Sequence, residues 1–227
     1  MKNKKLNRVL SLILVVLMLN LLFPLPSHSY AASKTVNLKG TYHAAMGLQT
    51  CDKLWCQRMA YYNKTINDKY GTKDVNKIFS GSTKTSNYVT YKGTFTDVKI
   101  AGNGTYTLSL KGADFRGETS LSQLHIATDI PVNNKIKFTN VKVKVNGKTK
   151  ITLAKGYGET DKKFLAGGMV ILAINHWRAP LEKTLKDKGL SFSSNGGVQC
   201  LSGNGKNSIQ ITFTVSGFSY KKGTSPK

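Results

Sequence analysis

The sequence predicts an all-β fold: an antiparallel two-sheet sandwich of the jelly-roll or immunoglobulin-like kind, with one short helix near 179–189. Three observations lead to this prediction. Apolar residues repeatedly occupy every second position, which is the period of a strand with one buried face. The strand-like segments are short and are separated by Gly, Asn and Pro. Only one segment of the chain after the N-terminal apolar run has the features of a helix.

The strands begin at Val36, from which apolar residues alternate with polar ones as far as Gln49. The predicted helix has Pro180 in its first turn, Glu182 and Lys186 four residues apart, and Gly189 as a stop. The same reasoning places the remaining strands at 54–62, 88–101, 105–111, 121–130, 135–145, 149–155, 169–177 and 208–215.

Two hairpins can be assigned a register. In the first, Ile100 pairs with Tyr106 and Val98 with Leu108, which leaves a three-residue connection over 102–104. In the second, Asn146-Gly147 is typical of a two-residue turn, but that turn sets lysines beside the apolar face of the partner strand. We therefore expect a three-residue connection, because register follows the hydrophobic pattern. That connection gathers Lys142, Lys144 and Lys150 into a basic patch on the outer face.

The N-terminal residues have the features of a secretory signal peptide. Basic residues precede an almost wholly apolar run over 9–23, which Pro24 and Pro26 follow, and small residues then suit a signal peptidase. The apolar run is shorter than the roughly 20 residues of a spanning helix, so we expect no membrane span after cleavage. The predicted organisation is a signal peptide over 1–31, one β-sandwich domain over 32–220 and a disordered basic tail over 221–227.

The chain is strongly basic, with a formal net charge of +23 at pH 7. Such a charge favours polyanionic surroundings, so the predicted partner is a polysaccharide or an anionic cell-wall polymer. Nucleic acid is not expected, because no nucleic-acid-binding motif is visible. We expect the protein to be secreted, and extracellular or associated with the cell wall.

The sequence contains no nucleophile elbow, zinc-protease motif or phosphate-binding loop. No catalytic residue, metal site or cofactor is therefore predicted. Asp129 with Glu118 or Asp114 could form the carboxylate pair of a glycoside hydrolase, although nothing in their spacing specifies it. One disulfide is expected among Cys51, Cys56 and Cys200, and the sequence leaves the pairing open.

Two sets of residues are candidates for binding a sugar. Aromatic rings stack on the C–H faces of sugars, while amide and guanidinium groups bind their hydroxyls. A second set of polar residues shares the non-core phase of two strands and predicts a hydrogen-bonding floor. The ligand-binding candidates are Trp55, Arg58, Tyr61, Tyr62, His176, Trp177 and Arg178, and the polar face comprises His43, Gln49, Gln123, His125 and Asp129.

Several segments resemble a module of secreted Gram-positive bacterial proteins, which has a context and strand pattern similar to carbohydrate-binding β-sandwiches. The resemblance implies a binding site on a sheet face or at loop tips, and often a structural calcium ion. Few acidic residues lie near the predicted strand ends, which argues against calcium here. The segments that carry the resemblance are 40–50, 54–58, 95–110, 124–131 and 167–178.

The leading interpretation is a non-catalytic, secreted module that binds carbohydrate or the cell wall. Two alternatives remain open. A secreted glycoside-active hydrolase requires two carboxylates facing each other across a cleft. A structural or adhesion β-sandwich would instead bind anionic polymers through its broad basic surface.

Overall fold

The structure is a computed structural model that describes residues 35–50, 94–115, 117–158 and 168–226, together with the backbone of 57–58. Several sequence predictions concern residues outside these ranges. They are the signal peptide, most of the strand over 54–62, the first part of the strand over 88–101, and the side chains of Cys51, Trp55, Cys56, Arg58, Tyr61 and Tyr62.

The described residues form thirteen strands and one helix. Helix α1 spans Ala179–Asp187, between β11 and β12. The strands in chain order are β1 (Tyr42–Gln49), β2 (Gln57–Arg58), β3 (Thr94–Thr96), β4 (Val98–Ile100), β5 (Gly104–Asp114), β6 (Ser120–Leu121), β7 (Gln123–Thr128), β8 (Lys137–Val145), β9 (Lys148–Lys155), β10 (Tyr157–Gly158), β11 (Val170–Asn175), β12 (Val198–Gln199) and β13 (Lys206–Ser216).

Eleven of these strands form two large antiparallel sheets, which confirms the predicted fold class. The six-stranded sheet has the order β10-β11-β7-β1, and both β2 and β4 pair with β1. The five-stranded sheet has the order β3-β5-β13-β8-β9. Strand β13, the last in the chain, is therefore the central strand of its sheet. The short strands β6 and β12 pair with each other.

The core lies between the inner faces of the two sheets. Met46 and Ile126 from the six-stranded sheet and Val143 and Ile211 from the five-stranded sheet are all at most 1% exposed. The fully buried Phe213 ring packs near the rings of Tyr106 and Phe138, with centroids 6.1 and 5.7 Å away. Period-two alternation produces this core, because it sends every second side chain of a strand to the same face.

The predicted hairpin between Val98 or Ile100 and strand β5 is wrong. Phe95 pairs with Leu110 in the five-stranded sheet, whereas β4 pairs with β1 in the six-stranded sheet. The chain changes sheets at Asp97, between β3 and β4. The physical reason is that Ile100 is buried by either sheet, so its burial alone does not determine which strand it pairs with.

The second hairpin has a two-residue turn and, farther from the turn, the register that the sequence predicts. Asn146 and Gly147 have φ values of 50° and 78°, and Val145 pairs with Lys148, so the turn has two residues and the expected three-residue connection is wrong. Beyond it, Val143 pairs with Ile151 as predicted. The register shift between these pairs is a β-bulge, which adds one residue to β9 and restores the hydrophobic pattern.

Helix α1 matches the predicted helix and packs against β11 of the six-stranded sheet. Leu181 and Leu185 are its buried residues. Its exposed side carries two ion pairs four residues apart, Lys186 to Glu182 at 2.6 Å and Lys183 to Asp187 at 2.7 Å. Gly189 follows with a φ of 77°, a left-handed conformation that glycine adopts without strain.

The hydrogen-bonded domain extends past Tyr220, where the sequence placed its end. The Lys222 N–H donates to the carbonyl of Asn103 at 2.8 Å, and the Lys222 ammonium donates to the Thr105 carbonyl at 2.7 Å. The Asn103 side chain holds Phe218 with two hydrogen bonds of 2.8 Å. Within the described residues, the structure contains no helix with the length and apolar character needed to cross a membrane.

Candidate functional site

The six-stranded sheet places three amide side chains in one row across neighbouring strands. Gln49 on β1 lies opposite Gln123 on β7, and Gln123 lies opposite Asn175 on β11. Opposed residues of antiparallel strands share a face, so all three amides project from the outer face of this sheet. We call Gln49, Gln123 and Asn175 the amide row. On its other side, β2 pairs with β1 so that Gln57 lies opposite Gln49.

Gln49 is the most buried member of the amide row. Its side chain is 3% exposed, and its Nε2 makes no hydrogen bond within the described part of the protein. The backbone around it is fixed, because the Gln49 carbonyl accepts hydrogen bonds from the backbone N–H and the hydroxyl of Ser122, at 2.9 and 3.2 Å. A buried amide donor without an acceptor costs about 1–3 kcal/mol, so this atom is an unused donor within the described part of the protein.

The amide row ends at the turn that carries Trp177. The Asn175 Oδ1 accepts the Trp177 N–H at 3.0 Å, and the Asn175 carbonyl accepts the Arg178 N–H at 3.1 Å. Asn side chains commonly bond the backbone two residues on in this way. The turn presents Trp177 with 47% of its surface exposed, next to half-buried Arg178, from which helix α1 begins.

The His176 ring packs against the Trp177 indole. Its imidazole and the Trp177 ring have centroids 3.9 Å apart at an angle of 56°. The His176 Nδ1 lies where a Cβ on Gly196 would approach within 2.2 Å, so the glycine gives the ring its space. Partial burial lowers the pKa of His176 below its ordinary value, and the nearby Glu182 carboxylate opposes that shift. The lowered pKa favours a neutral ring at pH 7.

The five polar-face residues share one phase of β1 and of β7 with the residue that follows it, but they do not form an open floor. His125 is only 2% exposed, and its ring lies over the backbone at Gly47, where a Cβ would clash with Nε2. At the other end of this face, the half-exposed His43 pairs with Asp129. The backbone N–H of His43 donates to the Asp129 Oδ1 at 2.6 Å, and the His43 Nδ1 lies 3.1 Å from the Asp129 Oδ2. Gln123 is partly exposed and lies opposite Asn175, two residues before the exposed Trp177.

The outer face of the five-stranded sheet carries exposed lysines in place of amides. Lys142 and Lys144 alternate with buried valines on β8, and the β9 bulge places Thr149 and Lys150 opposite Lys144. All three lysines are exposed, and none forms an ion pair with a described residue. Across the five strands the only carboxylate is Asp114, which lies opposite Lys206. We call Lys142, Lys144 and Lys150 the lysine band.

The acidic residues considered for hydrolysis have other environments. Glu118 is fully buried, Asp129 is bonded to His43, and Asp114 lies at the end of β5 in the other sheet. Among the residues that the structure describes, no group of three or more His, Cys, Asp or Glu could hold a metal ion. Cys200 is half-buried, and its pairing with Cys51 or Cys56 remains a prediction.

Sequence reasoning did not identify Asn175. It lay in an apolar strand directly before His176, and its polar side chain at the strand end was the available signal. Sequence order also could not show that three strands place Gln49, Gln123 and Asn175 side by side. Comparisons with models of known protein families, with curated proteins and with solved structures found no match to this chain.

Proposed function

We propose that this chain is an exported, non-catalytic module that binds carbohydrate of the cell wall at the amide row and Trp177. One observation carries the proposal: a buried, unused amide donor at Gln49 begins a row of amides that ends at an exposed indole. Among the described residues, only Trp177 and Val132 are large apolar side chains with extensive exposure. Trp177 is therefore unusual for this surface.

The chemistry of the site matches that of a sugar. An exposed indole offers a flat apolar face for the axial C–H groups of a pyranose ring. Amides can donate to and accept from hydroxyl groups at the same time, and every sugar hydroxyl also does both. Gln123 is partly exposed and lies in the row between Gln49 and Asn175, whose side chain holds the Trp177 backbone, so the proposed site extends from the indole to this amide.

A binding role accounts for these residues better than hydrolysis does. A glycosidase requires two carboxylates on either side of the scissile bond, about 5–10 Å apart. The row and its turn consist instead of amides, an indole and a histidine that is mostly neutral at pH 7. A hydrolase would therefore need acids from elsewhere in the chain.

The proposal is tested by binding to a glycan array and to purified cell wall in buffer of high salt, which suppresses attraction between exposed charges. Trp177→Ala is expected to weaken binding about tenfold or more, equivalent to roughly 1.4 kcal/mol. The matched control, Thr152→Ala, changes an exposed residue of the other sheet and should leave binding unchanged. Absence of salt-resistant binding to any glycan or wall fraction would refute the proposal.

A second variant separates binding from stability. Gln49→Leu keeps the approximate volume of the side chain and removes the buried Nε2 donor, which has no partner in the described structure. We expect this variant to be at least as stable as the parent protein but to bind glycan more weakly. If Gln49→Leu loses stability and keeps full affinity, Gln49 has a structural role and the site does not include it.

A further inference from the structure

We propose that the lysine band is a second binding surface, specific for a linear polyanion and independent of the amide row. Three exposed ammonium groups lie together on the regular outer face of the five-stranded sheet. Lys137 adds a fourth at the other end of β8. Attraction to an anion is therefore repeated along one strand, whereas the amide row offers neutral hydrogen-bonding groups.

The geometry selects a ligand with repeating charges. Lys142 and Lys144 are two residues apart on a strand, which separates their Cα atoms by about 7 Å. Lys150 lies across the ladder, opposite Lys144, so one anionic chain running along β8 can meet all three ammonium groups. A small anion would meet only one or two of them.

The residue type also limits the ligand. Lysine acts as a compact point charge with rotatable donors, whereas arginine recognises carboxylate or phosphate through a fixed fork. The five strands contain lysine and no arginine. The band therefore responds mainly to charge density, and its ligand is a polymer of phosphodiester or carboxylate groups. Exposed Thr107 and Thr152, in the same part of the sheet, add hydroxyl groups that can bond to such a polymer.

The two surfaces point in opposite directions. The amide row projects from the outer face of one sheet and the lysine band from the outer face of the other, and the core separates them. A polymer on the lysine band therefore does not block the amide row. Bound to both, the protein would link a neutral glycan to a polyanion, and this last step rests on the proposed carbohydrate-binding function.

The test measures polyanion binding directly, without any neutral glycan. Fluorescently labelled polyphosphate and polygalacturonate are titrated with the protein at several salt concentrations, and anisotropy gives the Kd. Combining Lys142→Gln, Lys144→Gln and Lys150→Gln is expected to raise the Kd roughly 100-fold at about 0.1 M salt, and to reduce the slope of log K against log salt by about 2. Comparison of the two polymers shows whether phosphate or carboxylate is preferred.

The control is a second triple variant with the same loss of charge. Lys39, Lys99 and Lys188 are exposed and lie outside the five-stranded sheet, so their replacement by Gln should weaken binding much less. An equal loss in both variants would overturn the proposal, because net charge alone would then explain binding. Trp177→Ala must keep full polyanion affinity, and a parallel loss would also overturn it. Failure of glycan binding with intact polyanion binding refutes only the proposed function.

Discussion

The outer faces of the two sheets are made from the same kind of strand but have opposite surroundings. On the six-stranded sheet, Ala45, Ala127, Val170 and Leu172 project outward and are at most 3% exposed. On the five-stranded sheet, the corresponding outward positions carry mainly lysine, threonine and serine, and most of them are exposed. These positions of the six-stranded sheet are thus buried and apolar, whereas the outer face of the five-stranded sheet is polar and mostly exposed.

The two faces differ in which residues indicate a role in binding. A polar group on the buried face must have a partner or a function, because burial without a hydrogen bond is costly. The unpaired Gln49 Nε2 on the buried face therefore indicates a function, whereas an exposed threonine, which water can satisfy, does not. On the polar face the informative property is the shared charge of neighbouring lysines. The predictions below test this difference between the faces.

The largest effect is expected from truncation of an outward residue on the buried face. Leu172→Ala should lower the free energy of unfolding by about 2–5 kcal/mol, because it leaves a cavity in a packed region. Thr152→Ala, at an outward position of the other sheet, should change it by less than about 0.5 kcal/mol. Urea denaturation of both variants checks the pair. Similar losses in the two variants would show that the faces do not differ.

A second substitution tests how closely the buried face is packed. In Gly47→Ala the new Cβ would overlap the His125 imidazole, so the variant should be destabilised by about 1–3 kcal/mol. Gly158→Ala is the matched control, since a Cβ there meets no atom within 4 Å. Thermal unfolding followed by circular dichroism compares them. A neutral Gly47→Ala would mean that His125 is not held against β1.

A third, smaller effect concerns pH. Because burial lowers the pKa of His176 below 6.5, the unfolded chain binds a proton more readily than the folded protein. Stability should therefore fall as pH drops below about 6.5 and stop falling below the folded pKa. Denaturation between neutral and acidic pH, compared with His176→Gln, isolates this contribution. An NMR titration of the His176 ring checks the pKa, and a value above 6.5 would contradict the prediction.

The smallest effect is expected from the lysine band. Lys142→Gln combined with Lys144→Gln should change the free energy of unfolding by no more than about 0.5 kcal/mol, because both side chains are exposed and unpaired with any described residue. Denaturant unfolding measures this change. A loss of more than about 1 kcal/mol would show that these lysines support the fold, and their effect on polymer binding would then need a milder substitution.

Local patterns in the sequence predicted strands and helix well, and their limits are visible in two places. In the β8–β9 hairpin, Asn146-Gly147 correctly indicated the turn and the alternating valines correctly indicated the distant register. The bulge that reconciles them was not predicted. Near Asp97, the apolar spacing changes from two residues to three between Phe95 and Val98. This break marks the crossing between sheets, whereas the sequence predicts a single strand over 88–101.

The candidate site was harder to predict, because it depends on which strands become neighbours. Gln49, Gln123 and Trp177 each belong to a different segment of the sequence. The pairing of Gln49 with Gln123, 74 residues apart, and of Gln123 with Asn175, 52 residues apart, brings these segments together. The exposure of individual side chains could not be predicted from the sequence either. His125 and Gln123 occupy the same phase of one strand, yet only His125 is fully buried. Periodicity assigns a face, and the rest of the fold determines what covers it.

The position of β13 has a consequence for how the chain folds as it is made. This strand lies between β5 and β8, and it pairs residues such as Thr107 and Thr212 that are 105 positions apart. A nascent chain that lacks β13 has two separate hydrogen-bonding edges and no sheet to join them. Closing the five-stranded sheet must wait until residues 206–216 have been synthesised. Folding is then slow and dominated by long-range contacts, and during that interval the unpaired edges are open to aggregation.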